Sequence, residues 1–163
     1  DYQSLGSLKK LVNNNFLYLK VGPEMTYSFM RAVLFLEKLE KKYFFSKISN
    51  IRKIISLEMD KKNIYWKDYY KGNIRRKEFL KFYSLLDRSR YYWTNKNVLS
   101  SLTILKKNVN SIKLGSLFAF YKISKKEFSN LHKFNFSNFE IIVYHFLQSS
   151  LKKYYKACQY RLR

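Results

Sequence analysis

The stretch on which the fold prediction depends is residues 74–94, IRRKEFLKFYSLLDRSRYYWT, which mixes cations and aromatic rings almost residue by residue. This mixture is too fine for a membrane span. It is typical of an RNA-binding surface, because cations contact phosphates and flat rings stack on bases. The alternation within Lys77–Tyr83 fits a strand at least as well as a helix. We therefore predict a strand there, followed by a turn over Arg88–Thr94 that presents its arginines to RNA.

The charge balance of the whole chain also predicts a polyanionic partner. The 163 residues carry a formal net charge of +22 at pH 7, and 47% of them are hydrophobic, so the chain can bury a core. Such a charge excess destabilises an isolated compact state unless a partner neutralises it. Nucleic acid is the first candidate, and an anionic membrane surface is the second.

Residue types that carry out catalysis or bind metals are few and scattered. Cys158 is the sole cysteine, so the chain has neither an internal disulfide nor a CxxC metal site. His132 and His145 are expected on different elements. The acids form no paired-carboxylate, HExxH or Walker pattern, and no apolar run reaches the roughly 18 residues of a membrane span. The expectation is a protein that is not an enzyme, has no cofactor, metal or small-molecule substrate, and does not span a membrane.

The first half of the chain predicts a small α+β lobe. Leucines at three- and four-residue spacing predict a helix over residues 4–14, and a longer apolar face predicts one over Met25–Lys42. Buried strands are predicted at Phe16–Val21, from Tyr43 and at Ile51–Leu57.

The second half predicts a mostly antiparallel β lobe with short helices. A turn is expected at Lys71–Asn73, and a capping box of Ser124 and Glu127 would begin a short helix. The remaining expected elements are a strand-like segment at Tyr91–Thr94, a helix at Asn95–Leu105, strands at Ile112–Tyr121 and Phe139–Phe146, and a basic tail over Ser149–Arg163.

The predicted fold class is therefore α+β in two small lobes. The N-terminal lobe has the order helix, strand, helix, strand, strand. The expected domains are residues 1–60 for this lobe, 61–147 for the β-rich RNA-binding lobe and 148–163 for the basic tail.

Several of these segments, in this order, resemble the small-subunit ribosomal protein S-eight family. SLKKLVNN at residues 7–14 is similar to the first helix of that family, and RYYWT at residues 90–94 is similar to its arginine turn. FLYLKV and the long helix after it match the next elements. SKKEFSNLHKFN and NFEIIVYHF, at residues 124–135 and 138–146, are similar to its last helix and strand.

The resemblance implies a structural protein that binds and stabilises small-subunit ribosomal RNA beside neighbouring ribosomal proteins. The abundance of Lys, Asn, Ile, Phe and Tyr indicates AT-rich coding, which favours a mitochondrial form located in the matrix. The resemblance also places Lys122, Lys125 and Lys126 near an RNA-facing loop of the family. The candidate RNA-binding residues are Lys9, Lys10, Arg75, Arg76, Lys77, Arg88, Arg90, Tyr92, Lys122, Lys125 and Lys126.

Other functions remain open at this point. The chain fits another basic mitochondrial ribosomal family, such as the mostly helical small-subunit protein seven. It also fits a peripheral basic subunit of a mitochondrial membrane complex that is recruited by an anionic leaflet. An RNA-processing enzyme would need clustered acids or a histidine pair, which the sequence does not show.

Overall fold

The computed structural model describes residues 2–113, 116–117 and 135–159, and these residues form helices and turns without a β-strand. The helices are α1 (Leu5–Asn13), α2 (Pro23–Tyr43), α3 (Ile51–Lys61), α4 (Ile74–Tyr83), α5 (Lys96–Asn110) and α6 (Asn138–Gln159). Short 3₁₀ turns occupy Asn63–Tyr65 and Arg88–Tyr92. The predicted α+β class is therefore wrong, because the described part of the chain is all-helical. Within it, no helix is both long and apolar enough to cross a membrane.

The helices predicted from a clear 3.6-residue period are confirmed. α1 begins after Ser4, whose side-chain oxygen accepts from the backbone N–H of Ser7. α2 has Pro23 in its first turn, where the missing N–H costs no helical hydrogen bond. α5 begins after Asn95, whose side chain accepts from the N–H groups of Asn97 and Val98.

The predicted strands in the described residues are wrong. Ile51–Leu57 lies in α3, Phe139–Phe146 lies in α6, and Lys77–Tyr83 lies in α4. A short apolar run is compatible with either a buried strand or a buried helix. In α3 the helical spacing is visible afterwards, because Ile51, Ile55 and Met59 are all buried.

The remaining predicted strands are irregular segments, parts of other elements, or residues outside the described ranges. Residues 16–21 have no regular secondary structure, and Tyr43 is the last residue of α2. Tyr91–Thr94 spans the end of a 3₁₀ turn. The capping box of Ser124 and Glu127 lies outside the described residues, as does most of the predicted strand at 112–121.

The start of α6 carries a capping box that the strand prediction overlooked. The backbone N–H and the hydroxyl of Ser137 donate to Oε2 of Glu140, at 2.9 and 2.7 Å. The backbone N–H of Glu140 lies 3.4 Å from Oγ of Ser137 in return. Oε1 of Glu140 also accepts from Lys106 of α5 at 2.9 Å. The sequence Ser-Asn-Phe-Glu thus begins a helix and links it to α5.

α2 lies at the centre of the packing and contacts α6, α5 and α3. Its fully buried side chains include Met30, Val33, Leu36 and Leu39. Each of these lies three or four residues from another, as expected for one broad buried face of a helix.

α1 packs at the other end of α6. Leu8 and Val12 form a second apolar cluster with Tyr154 and Ala157, which lie in the segment predicted as a basic tail. The described part of that tail is therefore the end of α6. The division into domains at residues 1–60, 61–147 and 148–163 stays a prediction.

Glu40 joins three helices from a fully buried position. Its carboxylate accepts from the backbone N–H and hydroxyl of Ser49, at 2.9 and 2.5 Å, and from Nδ2 of Asn108 at 2.7 Å. Ser49 lies just before α3, and its carbonyl accepts from the hydroxyl of Ser101 on α5 at 2.7 Å. A buried carboxylate is tolerated because several donors satisfy it.

Replacing Glu40 by Ala tests this connection. The change is expected to lower the free energy of unfolding by about 3 kcal/mol, because a bond to a charged acceptor contributes about 1.5–3 kcal/mol and the donors stay buried. Lys38→Ala, at an exposed site of the same helix, is the matched control and should change stability by less than about 0.5 kcal/mol. Urea unfolding measures both, and equal effects would contradict this role of Glu40.

The capping box of α6 predicts a pH dependence. The Lys106 hydrogen bond and the Ser137 donors lower the pKa of Glu140 from its usual 4.5 to about 2. A carboxyl with a lowered folded-state pKa stabilises the fold above pH 4.5, and this contribution is lost as the pH falls from 4.5 towards 2. Glu140→Gln keeps a side chain that can form the box but cannot titrate. The stability difference between wild type and variant, measured by urea unfolding, should therefore shrink from pH 6 to pH 2, and a constant difference would contradict the assignment.

Candidate anion-binding site

The side chain of Arg76, from the first turn of α4, packs over the loop that precedes this helix. Gly72 has a φ of 110°, a conformation that disfavours residues with a Cβ. A Cβ at this position would lie 2.6 Å from Cδ of Arg76. Asn73 then begins α4 by accepting from the backbone N–H of Arg76 at 2.9 Å. Gly72 thus leaves the space that the Arg76 side chain occupies.

An open cavity of about 510 Å³ lies between this loop and α4. That volume is within the range of small-molecule sites, which are roughly 300–1,000 Å³. Two cations, two tyrosines and two leucines contribute to its wall. The lining residues are Tyr69, Tyr70, Lys71, Gly72, Arg76, Leu80, Ser84 and Leu86.

A tight turn after α4 borders the cavity. Asp87 begins this turn in the left-handed region, with a φ of 38°, and its side chain is buried. The hydroxyl of Ser89 donates to Oδ1 of Asp87. Burial raises the pKa of the Asp87 carboxyl, while Ser89, Thr26 and the charge of Arg90 act in the opposite direction. The buried Asp87 carboxyl therefore stabilises the turn from the inside of the protein.

Arg90 belongs to the internal structure of this turn. Its Nη1 donates to the carbonyls of Leu86 and Asp87, at 2.5 and 2.8 Å, and its Nη2 donates to the hydroxyl of Tyr91 at 2.7 Å. The guanidinium also lies 4.4 Å from the Tyr91 ring centroid. These contacts close the turn on itself, so Arg90 is a structural residue here.

Arg88 is held differently, although it lies only two residues away. Its backbone N–H donates to the hydroxyl of Tyr70 at 3.0 Å, and its guanidinium carbon lies 3.3 Å from the ring centroid of Tyr69. Nε is buried and has no hydrogen-bond partner. Nη1 makes a long hydrogen bond, 3.5 Å, to the hydroxyl of Tyr91. Two rings of the cavity wall therefore position Arg88 and leave donor capacity for a ligand.

The other predicted contact residues lie in varied surroundings. Tyr92 is buried, and its hydroxyl donates to the carbonyl of Lys62, so it is a core residue. Lys10 and Arg75 are exposed, and Lys9 and Lys77 are half-buried. Lys122, Lys125 and Lys126 lie outside the described residues. Arg76 lines the cavity and Arg88 stacks on Tyr69 of its wall, whereas Lys9 and Lys10 lie on α1.

Sequence reasoning missed Lys71 and Tyr69 as candidates. The available signal was the predicted turn at Lys71–Asn73, because a turn that precedes a helix places adjacent side chains at one edge. Among the described residues, no group of three or more His, Cys, Asp or Glu side chains is placed to hold a metal ion. The arrangement that is present, cations beside aromatic and apolar walls, suits a phosphorylated organic ligand.

A solved structure with a similar fold is described as a probable tagatose 6 phosphate kinase from Sinorhizobium meliloti 1021. The TM-score is 0.81 at 21% sequence identity, and the match covers 97% of this chain. It covers 41% of that chain, so the present chain spans less than half the length of its structural relative. At this identity the likeness shows the fold alone.

A family model described as D-tagatose-1,6-bisphosphate aldolase subunit GatZ/KbaZ-like matches residues 1–159. The resemblance to ribosomal protein S-eight is therefore wrong. The family match also overturns what that resemblance implied. A role in translation, binding to ribosomal RNA and ribosomal proteins, and a location in the mitochondrial ribosome are all wrong. The expectation that the protein is not an enzyme is also wrong, since the family is named for an aldolase subunit. The chain belongs to the D-tagatose-1,6-bisphosphate aldolase subunit GatZ/KbaZ-like family.

Proposed function

We propose that this chain acts in carbohydrate metabolism as part of an aldolase subunit, and that its basic cavity binds a phosphate group of a phosphorylated sugar. The family description names a sugar bisphosphate, which supplies the chemical class of ligand. The observation that carries the proposal is the stacking of Arg88 on Tyr69, a ring that lines the same cavity as Lys71 and Arg76.

The charges at the cavity favour a phosphate ester. Arg88 and Arg76 offer planar guanidinium groups, which match the geometry of phosphate oxygens. Lys71 adds a third cation. An acidic residue of the neighbouring turn, Asp87, is buried and engaged with Ser89, so it does not cancel this charge at the surface.

The remaining wall suits the carbon skeleton of a sugar. Leu80 and Leu86 provide apolar contact, and the rings of Tyr69 and Tyr70 provide flat faces. Burial raises the pKa of the Tyr70 hydroxyl. This hydroxyl accepts from the backbone N–H of Arg88 and is also hydrogen-bonded with the Ser84 side chain.

Binding of sugar phosphates to purified variants tests the proposal. D-tagatose 1,6-bisphosphate should bind in isothermal titration calorimetry, whereas unphosphorylated D-tagatose should not bind measurably. Arg88→Gln and Arg76→Gln should each weaken binding by roughly 10- to 100-fold, the effect of losing a charge-assisted hydrogen bond.

Arg75→Gln is the matched control, because Arg75 is exposed on the same helix and does not line the cavity. It should leave the affinity within about twofold of wild type, apart from the small loss of general charge. Equal effects at positions 75, 76 and 88, or equal binding of the unphosphorylated sugar, would contradict a phosphate site in this cavity.

A further inference from the structure

The outer face of α4 is a row formed by Arg75, Phe79 and Tyr83. These residues are four apart, so they lie above one another on the helix surface. The rings of Phe79 and Tyr83 stack with centroids 4.7 Å apart and an interplanar angle of 24°. Phe79 is nevertheless 56% exposed, whereas Tyr83 is half-buried against the core, so the Phe79 ring is the main apolar surface of this row.

Further exposed apolar side chains occur at both ends of the same helix. Ile74 at its start is 81% exposed, and Leu85 and Leu86 just beyond its end are 52% and 46% exposed. Single exposed apolar residues are normal on a protein surface, whereas a group along one element marks an interaction site. Exposed apolar side chains thus lie on α4 and just beyond its end.

The same surface carries uncompensated positive charge. No ion pair joins Arg75, Arg76 or Lys77 to any residue in the described part of the chain. The acid of α4, Glu78, is engaged at 2.5 Å by the buried Lys81. Arg52 extends the positive surface, with its guanidinium 5.7 Å from the Tyr83 ring centroid.

We propose that this outer face of α4 docks the companion subunit of the aldolase through an acidic, partly apolar surface of that subunit. The idea deepens the proposed function, and rests on it, because the docked chain would border the phosphate cavity. The description of the family as an aldolase subunit provides the occupant, and charge complementarity provides its chemistry. A second copy of this chain is a poor occupant, since its own net charge is +22.

The composition of the row favours a protein over a simple polyanion. Arginine, tyrosine and phenylalanine are enriched in the buried core of protein–protein interfaces. Phe79 offers no group to a phosphate or a carboxylate, so its contribution would come from burial of its ring. Binding of a polyanion to a purely electrostatic surface would not depend on Phe79.

The docked subunit would also affect the cavity. Arg76 lines the cavity and is adjacent in sequence to Arg75 of the outer face, while Leu86 belongs to both the cavity wall and the apolar group. A chain seated on this face would exclude water from the cavity edge, which strengthens charge interactions inside it. Sugar bisphosphate should therefore bind more tightly to the complex than to the isolated chain.

Titration with the purified companion subunit tests the proposal. Phe79→Asn should weaken association at least tenfold, and Arg75→Glu should weaken it by a similar factor that shrinks at high salt. Phe45→Asn is the matched control, because Phe45 is 98% exposed beyond the end of α2, and it should change the affinity less than twofold. Circular dichroism verifies that each variant keeps its helical content.

The outcomes separate this inference from the proposed function. If Phe79→Asn and Phe45→Asn associate equally well, or if the wild-type chain does not associate, docking on α4 is overturned. Binding of D-tagatose 1,6-bisphosphate to isolated Phe79→Asn should match wild type in either case. If heparin binds Phe79→Asn and wild type equally while the companion subunit binds neither, the face is a general polyanion surface and the proposal fails.

Discussion

The fold depends on a buried carboxylate, Glu40, at the point where α2, α3 and α5 meet. Its donors come from Ser49 and Asn108, so a single side chain of α2 fixes the start of α3 and the end of α5. Glu24 has a similar role at the other end of α2, where it accepts from Tyr154 of α6 and from the backbone of Tyr2. Hydrogen bonds to buried carboxylates are directional, so they specify how helices meet more closely than apolar contact alone.

This use of acids explains the basic surface. The chain has 11 acidic and 33 basic residues, and several of the acids are buried at joints between elements. Glu140 and Glu78 are engaged by lysines of the same helices or their neighbours. Among the cations of the described residues, Arg76 lines the cavity and Arg88 stacks on Tyr69 of its wall. The positive charge that first indicated RNA is equally compatible with a ligand that carries phosphate.

The sequence predicted the helices with a clear apolar face, α1, α2 and α5, but not the all-helical class. The apolar run at the start of α3 fits a strand as well as a helix, and in α6 the decisive local signal, Ser137 with Glu140, was outweighed by the β-branched run that follows. Arg76 and Arg88 were named from the basic and aromatic stretch of residues 74–94, and their role in binding stays a prediction. The difference between Arg88 and Arg90 depends on which carbonyls the turn brings within reach. No linear pattern carries that information.

Phosphate recognition by the cavity between the Tyr69–Gly72 loop and α4 is the property we propose for this chain. Backbone chemical-shift mapping of the isolated chain during titration with inorganic phosphate tests it most directly, because it locates the ligand without any substitution. We expect the amides of Lys71, Arg76 and Arg88 to shift together and to saturate with one dissociation constant. Shifts spread over exposed lysines on several helices, without saturation, would contradict the account.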